Sequence, residues 1–172
     1  IFSHIYKVYK VTPNAEITLE ANPDDLTSEY ISMLRTFPFN RISMGIQTFQ
    51  ETTLKQLQRR HTADQAIRAF QGCRTAGFQN ISIDLMYGLP GETLTSWKKD
   101  LKQALSLHPE HISAYHLIYE EGTPLWKLRE QHKVEEADED LSVSLFGTLI
   151  DELTTAGYEH YEISNFCLPG LH

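Results

Sequence analysis

Three short apolar runs of the chain each carry a side chain able to hold a ligand near their far ends. Glu16–Glu20 closes on Glu20, Arg41–Gln47 closes on Gln47, and Asn80–Tyr87 carries Asp84 among Ile81, Ile83 and Leu85. A fourth run, His111–Ile118, ends on Tyr115-His116-Leu117-Ile118. Two of these side chains are carboxylates and one is an amide. Leaving such groups buried without partners costs a few kcal/mol each, on the order of the desolvation of one polar group. They therefore read as rim residues of a shared ligand site, or as caps and loop anchors; Asp84 taken alone is the more structural of the three. Arg59 and Arg60 lie beyond the second run. A planar guanidinium fork suits a carboxylate, with a surface salt bridge as the plainer use. The turn Gly88-Leu89-Pro90-Gly91-Glu92-Thr93 combines glycines that permit positive φ with a stiffening proline. It can present backbone amides to a ligand, or simply lead into the next helix.

The eight histidines do not assemble a zinc site. None makes an HxxxH helical pair with a nearby glutamate, and His111 and His116, an odd number apart on a strand, point to opposite faces. His160 and Tyr161 alternate on a late extended run and can line a pocket or face solvent. Cys73 and Cys167 are far apart, form no CxxC pair, and read as two reduced thiols.

These side chains need a scaffold, and the hydrophobic periodicity supplies one. Extended runs at Glu16–Glu20, Arg41–Gln47, Asn80–Tyr87, His111–Ile118 and Tyr158–Ile163 alternate with helical segments at Ser28–Thr36, Ala63–Ala76, Thr95–Leu107 and Asp138–Ala156. Thr27 and Thr62 stand where N-caps belong, Gly77 and Gly157 where helices stop. Leu141, Leu145, Leu149 and Leu153 form a core stripe on the longest helix. The acidic run Glu135–Asp140 suits its N-terminus. Strand and helix in alternation predict an α/β chain of right-handed βαβ units with a parallel sheet and outer helices. The first strand runs into Glu20-Ala21-Asn22-Pro23, without the glycine-rich phosphate loop of a doubly wound nucleotide binder. That favours a partial, TIM-like (β/α) barrel, whose ligands gather at the carboxyl ends of the strands.

At 172 residues, 41% hydrophobic and 22% charged, the composition is that of one globular domain or a large part of one. A net charge of −8 gives no footprint for nucleic acid or an anionic membrane surface. No run reaches the ~20 apolar residues of a spanning helix, and no signal peptide is visible, so a cytoplasmic setting is expected. The chain opens on Ile1 within an amphipathic run (Ile1, Ile5, Val8) and closes on Leu168-Pro169-Gly170-Leu171-His172. The expectation is an excised central piece of a longer protein.

Five runs in order carry a resemblance. Ile17-Thr18-Leu19-Glu20-Ala21-Asn22-Pro23, Arg41-Ile42-Ser43-Met44-Gly45-Ile46-Gln47 and Ile83–Thr93 are similar to oxygen-independent coproporphyrinogen III oxidase and its relatives in the radical-SAM family. His111-Ile112-Ser113-Ala114-Tyr115 and Gly157–Phe166 are closer to the haem chaperone HemW subgroup. The resemblance implies a radical-SAM barrel with S-adenosylmethionine (SAM) and a 4Fe–4S cluster as cofactors, cleavage of SAM yielding a 5′-deoxyadenosyl radical. The cluster's CxxxCxxC loop and the family's GGTP loop have no counterpart here, and neither Cys73 nor Cys167 matches a ligand. Residues 1–172 would thus be the central part of one barrel domain, without the cluster-binding N-terminal segment and the C-terminal domain.

Carried over residue by residue, Glu20 matches the glutamate at the SAM methionine group, and Gln47 and Asp84 the pair at the ribose hydroxyls. Arg59 matches the arginine facing the methionine carboxylate, and Ile118 a backbone contact to adenine. The function so implied is haem binding and transfer in porphyrin metabolism, with haem or a porphyrinogen and a haem-accepting protein as partners. Coproporphyrinogen III oxidase, which decarboxylates two propionates to vinyl groups, is the alternative, and a SAM-independent βα-barrel enzyme the remote one. No lysine for a Schiff base occupies the five strand runs. His116 and His160 are conceivable haem ligands but simpler as core or surface residues. A radical-SAM oxidoreductase is expected of the full-length parent, with this piece alone inactive and binding SAM weakly or not at all.

Overall fold

The computed structural model describes residues 1–171. Helix α1 (Phe2–Val8) precedes strand β1 (Thr18–Ala21), a 3-10 turn (Pro23–Asp25) and α2 (Ser28–Leu34). Then come β2 (Arg41–Gln47), α3 (Glu51–Gln56), α4 (Ala63–Thr75), β3 (Asn80–Tyr87) and α5 (Leu94–Ser106). The chain continues with β4 (His111–His116), α6 (Pro124–Glu130), α7 (Glu139–Thr155), β5 (Glu159–Glu162) and β6 (Asn165–Cys167).

Helix starts follow local chemistry. Thr27 accepts the Tyr30 amide, Asp138 accepts the Leu141 amide, and Thr62 and Thr93 form reciprocal capping boxes with Gln65 and Ser96. Each cap satisfies donors that the first helical turn leaves orphaned. Because Thr93 is the cap, α5 begins at Leu94 rather than at Thr95.

The six strands form one sheet in the order β1-β2-β3-β4-β6-β5. β1 to β4 are parallel neighbours, as the strand–helix alternation requires. The fifth extended run departs from that pattern. It is the first arm of a hairpin whose return strand, β6, lies antiparallel between β4 and β5. At three residues β6 is too short to leave a periodic signal, and β5 has every side chain exposed. The sheet is therefore mostly parallel with an antiparallel edge, and open rather than closed.

The strands are also not the uniformly apolar runs expected of a covered parallel sheet. In β2, Ile42, Met44 and Ile46 are fully buried against the helices, while Arg41, Ser43, Gly45 and Gln47 occupy the other face. β3 repeats this with Ile81, Ile83 and Leu85 buried alongside Asp84 and Met86. One face thus builds the core and the other a polar concavity. Helices pack on the apolar face, with Ala66, Ala69, Phe70 and Cys73 from α4, Trp97, Leu101 and Ala104 from α5, and Leu145, Leu149 and Leu153 from α7. Burying each such large side chain stabilises the fold by roughly 1.5–3 kcal/mol. The Trp97 indole N–H donates to the Leu145 carbonyl at 3.1 Å and ties α5 to α7. Two short helices, α3 and α6, had no clear periodicity, and α1 buries no residue. Its Phe2 meets Phe39 edge-on at 5.2 Å. Among the described residues no helix is long and apolar enough to cross a membrane.

Candidate functional site

The polar face of β1–β4 lines a cavity of about 610 Å³. Strand register sets the level of each group. Glu20 lies opposite Ser43, and Gly45, Asp84 and Ser113 are successive partners across β2, β3 and β4. Gln47, Met86 and Tyr115 stand nearer the carboxyl ends of their strands, Asn165 is level with Ser113, and Arg41 and His111, with Tyr161 bonded to His111, stand toward the opposite end. Three of the five residues expected at the site, Glu20, Gln47 and Asp84, therefore share one cavity.

Asp84 is the most buried of these acids. Its carboxyl titrates above the ordinary range because it is desolvated, with Glu20 acting in the same direction and hydrogen bonds from Ser113 and Ser43, together with Arg41, acting against it. The Ser43 hydroxyl donates to Asp84 Oδ2 at 3.5 Å. A partly desolvated carboxylate with only hydroxyl donors around it is a strong acceptor for ligand hydroxyls.

Gln47 is aimed by its backbone. It has φ +70°, and the β2–β3 register shifts between Gly45 and Gln47, so the strand bulges and carries the side chain over the cavity. Such a bulge redirects a residue at a functional rim.

Arg59 does not line the cavity but abuts it behind Gln47. Its Nη2 donates to Asn22 Oδ1 at 2.7 Å and to the Gly45 carbonyl at 2.9 Å. Arg60 takes the plainer role and pairs with Asp24 at 3.0 Å and Asp25 at 3.2 Å on the surface. Ile118 is not brought to the cavity. It is 73% exposed and borders a separate depression of about 280 Å³ with Gln58, Pro124 and Leu128.

Several lining groups escaped the sequence reading. Arg41 and Ser43 are ordinary polar residues, detectable only as inward-facing members of a strand of alternating burial, and Ser113 and Asn165 lie on strands whose burial does not alternate. His111 joins them as a neutral imidazole. Burial, and after it the Arg41 charge, push it down to about 4. Its Nδ1 faces Ser82 Oγ at 2.9 Å and its Nε2 the Tyr161 hydroxyl at 2.7 Å. His116 points to the other face and meets Ser142 at 3.0 Å, in keeping with the odd spacing.

The 88–93 turn is held from within. The Glu92 carboxylate accepts the Gly88 and Leu89 amides at 2.6 and 3.3 Å, so those amides face Glu92 and not the cavity. The structural use of this turn prevails.

The donor set fits a polar, hydroxyl-bearing ligand such as the nucleoside end of SAM. It does not fit an iron–sulfur cluster. Cys73 and Cys167 are both buried and unpaired with each other, and among the described residues no group of three His, Cys, Asp or Glu could hold a metal ion.

Comparison with known proteins now bears on this geometry. The Radical SAM superfamily matches residues 2–104. The chain belongs to the radical SAM superfamily. SAM and a 4Fe–4S cluster are the cofactors of that superfamily. The "Heme chaperone HemW" of Lactococcus lactis is 41% identical over 156 residues, covering 91% of this chain and 41% of the relative. The protein of the same name from Escherichia coli is 37% identical, covering 91% of this chain and 40% of its own length. The chain thus spans about two-fifths of the curated relatives it matches. Among solved structures, coproporphyrinogen III oxidase (HemN) from Escherichia coli superposes with a TM-score of 0.82 at 25% identity, over 98% of this chain and 38% of that one. This radical-SAM chain therefore has the partial-barrel fold that its strand–helix alternation predicted.

Proposed function

We propose that this chain is the central wall of one radical-SAM barrel in a cytoplasmic haem-binding and haem-transferring protein, with the cluster-binding segment lying outside residues 1–172. The observation that carries the cofactor reading is the meeting of Glu20, Gln47 and Asp84 in one cavity at the carboxyl half of three parallel strands. SAM bound there would supply the one-electron chemistry of the superfamily. The chain's own residues bind and orient it. Asp84 and Gln47 accept from and donate to the ribose hydroxyls, Glu20 takes the methionine ammonium, and Arg59 faces the carboxylate. The adenine contact expected at Ile118 would require the ligand to extend beyond this cavity to the neighbouring depression that Ile118 borders. The haem reading rests on the two relatives named as haem chaperones, which are 41% and 37% identical to this chain over the aligned 156 and 157 residues. Its further partner is a haem-accepting protein.

A second reading, oxidation of coproporphyrinogen III, is favoured by the superposition on HemN. The test of the shared cofactor step is electron paramagnetic resonance on the full-length parent, reconstituted anaerobically with iron and sulfide and reduced. A 4Fe–4S signal that shifts when SAM is added supports the reading. A cluster indifferent to SAM assigns the strand-end residues to another ligand. Haem titration and a coproporphyrinogen decarboxylation assay then separate the two functions, since a chaperone binds haem without forming vinyl groups.

A further inference from the structure

We propose that Asn22 and Gly45 are positioning residues that hold Arg59 in one orientation and thereby make the site selective for nucleosides that carry an α-amino-acid carboxylate. This rests on the cofactor reading above. The geometry begins at Gly45, the inward-facing residue before the β2 bulge. A Cβ placed there would lie 2.9 Å from Gln47 Nε2, 3.5 Å from Arg59 Nη2 and 4.0 Å from Asn22 Oδ1. Three polar side chains from three parts of the chain therefore converge on the space that this glycine leaves open. Side chains essentially never approach a real Cβ at the first of those distances.

Arg59 itself is fixed at one end only. Nη2 is engaged twice, by Asn22 Oδ1 at 2.7 Å and by the Gly45 carbonyl at 2.9 Å. Its Nε is buried and has no hydrogen-bond partner. A buried guanidinium N–H without an acceptor is costly and marks either strain or a group supplied by a ligand. Asn22 is in turn steadied by Asp25, whose Oδ2 accepts from its Nδ2 at 3.4 Å. A neutral amide acceptor is the useful choice at position 22. A carboxylate would neutralise Arg59, whereas the amide orients the fork and leaves its positive charge for an incoming carboxylate.

The assignment separates two tasks on one strand. Gln47 and Asp84 read the sugar, and the Asn22–Arg59–Gly45 unit reads the amino-acid end. The test is calorimetry on the anaerobically reconstituted full-length parent with two ligands, SAM and 5′-methylthioadenosine, which lacks the amino-acid group. Asn22→Ala should weaken SAM by about tenfold, the loss of one charge-assisted hydrogen bond's worth of orientation, and leave methylthioadenosine unchanged. Gly45→Ala displaces the Gln47 amide as well and should weaken both ligands. Asn22→Ala lowering both affinities equally, or neither, overturns the proposal. A wild-type parent that binds neither compound overturns the cofactor reading and this inference with it, whereas a SAM-binding parent insensitive to Asn22→Ala overturns only the inference.

Discussion

Asp100 offers the sharpest test of how the loop after β2 is held. It sits within α5, fully buried, and its carboxylate gathers three donors from the segment that follows Gln47. The Thr48 hydroxyl donates to Oδ2, the Phe49 amide to Oδ1 at 3.2 Å and the Gln50 side-chain amide to Oδ1 at 2.8 Å. Thr48 is itself fully buried and accepts the Gln50 amide at 3.0 Å. Asp100→Ala removes all three acceptor contacts. The Gln50 side chain can turn to water, but the Thr48 hydroxyl and Phe49 amide cannot. Each stranded donor costs about 1–3 kcal/mol. Part of that is returned, because burial already holds the Asp100 carboxyl above its ordinary range and removing a strained charge is favourable. The net expectation is a local destabilisation on the order of 3 kcal/mol, or about 100-fold faster opening. Native-state hydrogen exchange in the full-length parent reads it directly. The Phe49 and Gln50 amides should exchange about 100-fold faster, while amides in β3 hold their rates. Asp100→Asn keeps the shape and one acceptor and should show roughly a tenth of the effect. Unchanged exchange at Phe49 in Asp100→Ala would mean that the loop is held by something other than this carboxylate, and the reasoning fails.

Three shorter tests follow. The Glu92 carboxyl is raised by burial to about 7 from 4.5, so the folded chain binds the extra proton between those values and stability should fall as pH rises through that window; in Glu92→Gln the urea midpoint of the parent should depend less on pH between about 5 and 8. Gly88 has φ +72° and a Cβ there would lie 2.7 Å from His116 Nε2, whereas Gly91 at φ +72° has open space. Gly88→Ala should therefore cost about 2–4 kcal/mol in urea denaturation against about 1 kcal/mol for Gly91→Ala, and equal costs would discredit the close contact. Cys73 is fully buried and its thiol is pushed up to about 11, so Ellman's reagent should not label it in the folded protein; fast labelling at neutral pH would contradict its place in the core.

Much of the architecture was legible because it repeats. Strand and helix alternation fixes the parallel β1–β4 core, and the capping residues Thr27 and Thr62 stand at the starts of α2 and α4. The leucine stripe on α7 is core at Leu145, Leu149 and Leu153 and only partly buried at Leu141. What escaped was short or non-periodic. β6 has three residues, and α3 and α6 have six and seven. Their existence depends on tertiary contacts, α6 on the small cluster of Leu89, Leu117 and Tyr119 with Leu125 and Trp126. In the site, Glu20, Gln47 and Asp84 were visible as polar residues at the ends of apolar runs. Arg41, Ser43 and Ser113 were not, since nothing in residue type separates a cavity-lining serine from a solvent-facing one. Asn22 and Asp100 were invisible for a further reason. Each acts through a partner far along the chain, Arg59 or Thr48, and such pairings are set by the fold alone.

The alternation that hid half the site is also what makes it a site. A parallel sheet covered on both faces reads as continuous apolar sequence, yet β2 and β3 alternate as half-exposed strands do. The apolar members carry the core against α4, α5 and α7, and the inward members are mostly polar or small, Ser43, Gly45, Gln47 and Asp84, with Met86 alone packing against the small cluster of Leu89, Leu117 and Tyr119. Gly45 shows the consequence most clearly. On the packed face a glycine would leave a hole, whereas on the inner face it opens the space into which Gln47, Arg59 and Asn22 converge. The bulge that follows then turns Gln47 out of the ladder toward the cavity. Along β2, stability is thus assigned to one parity of residue and the cavity lining to the other.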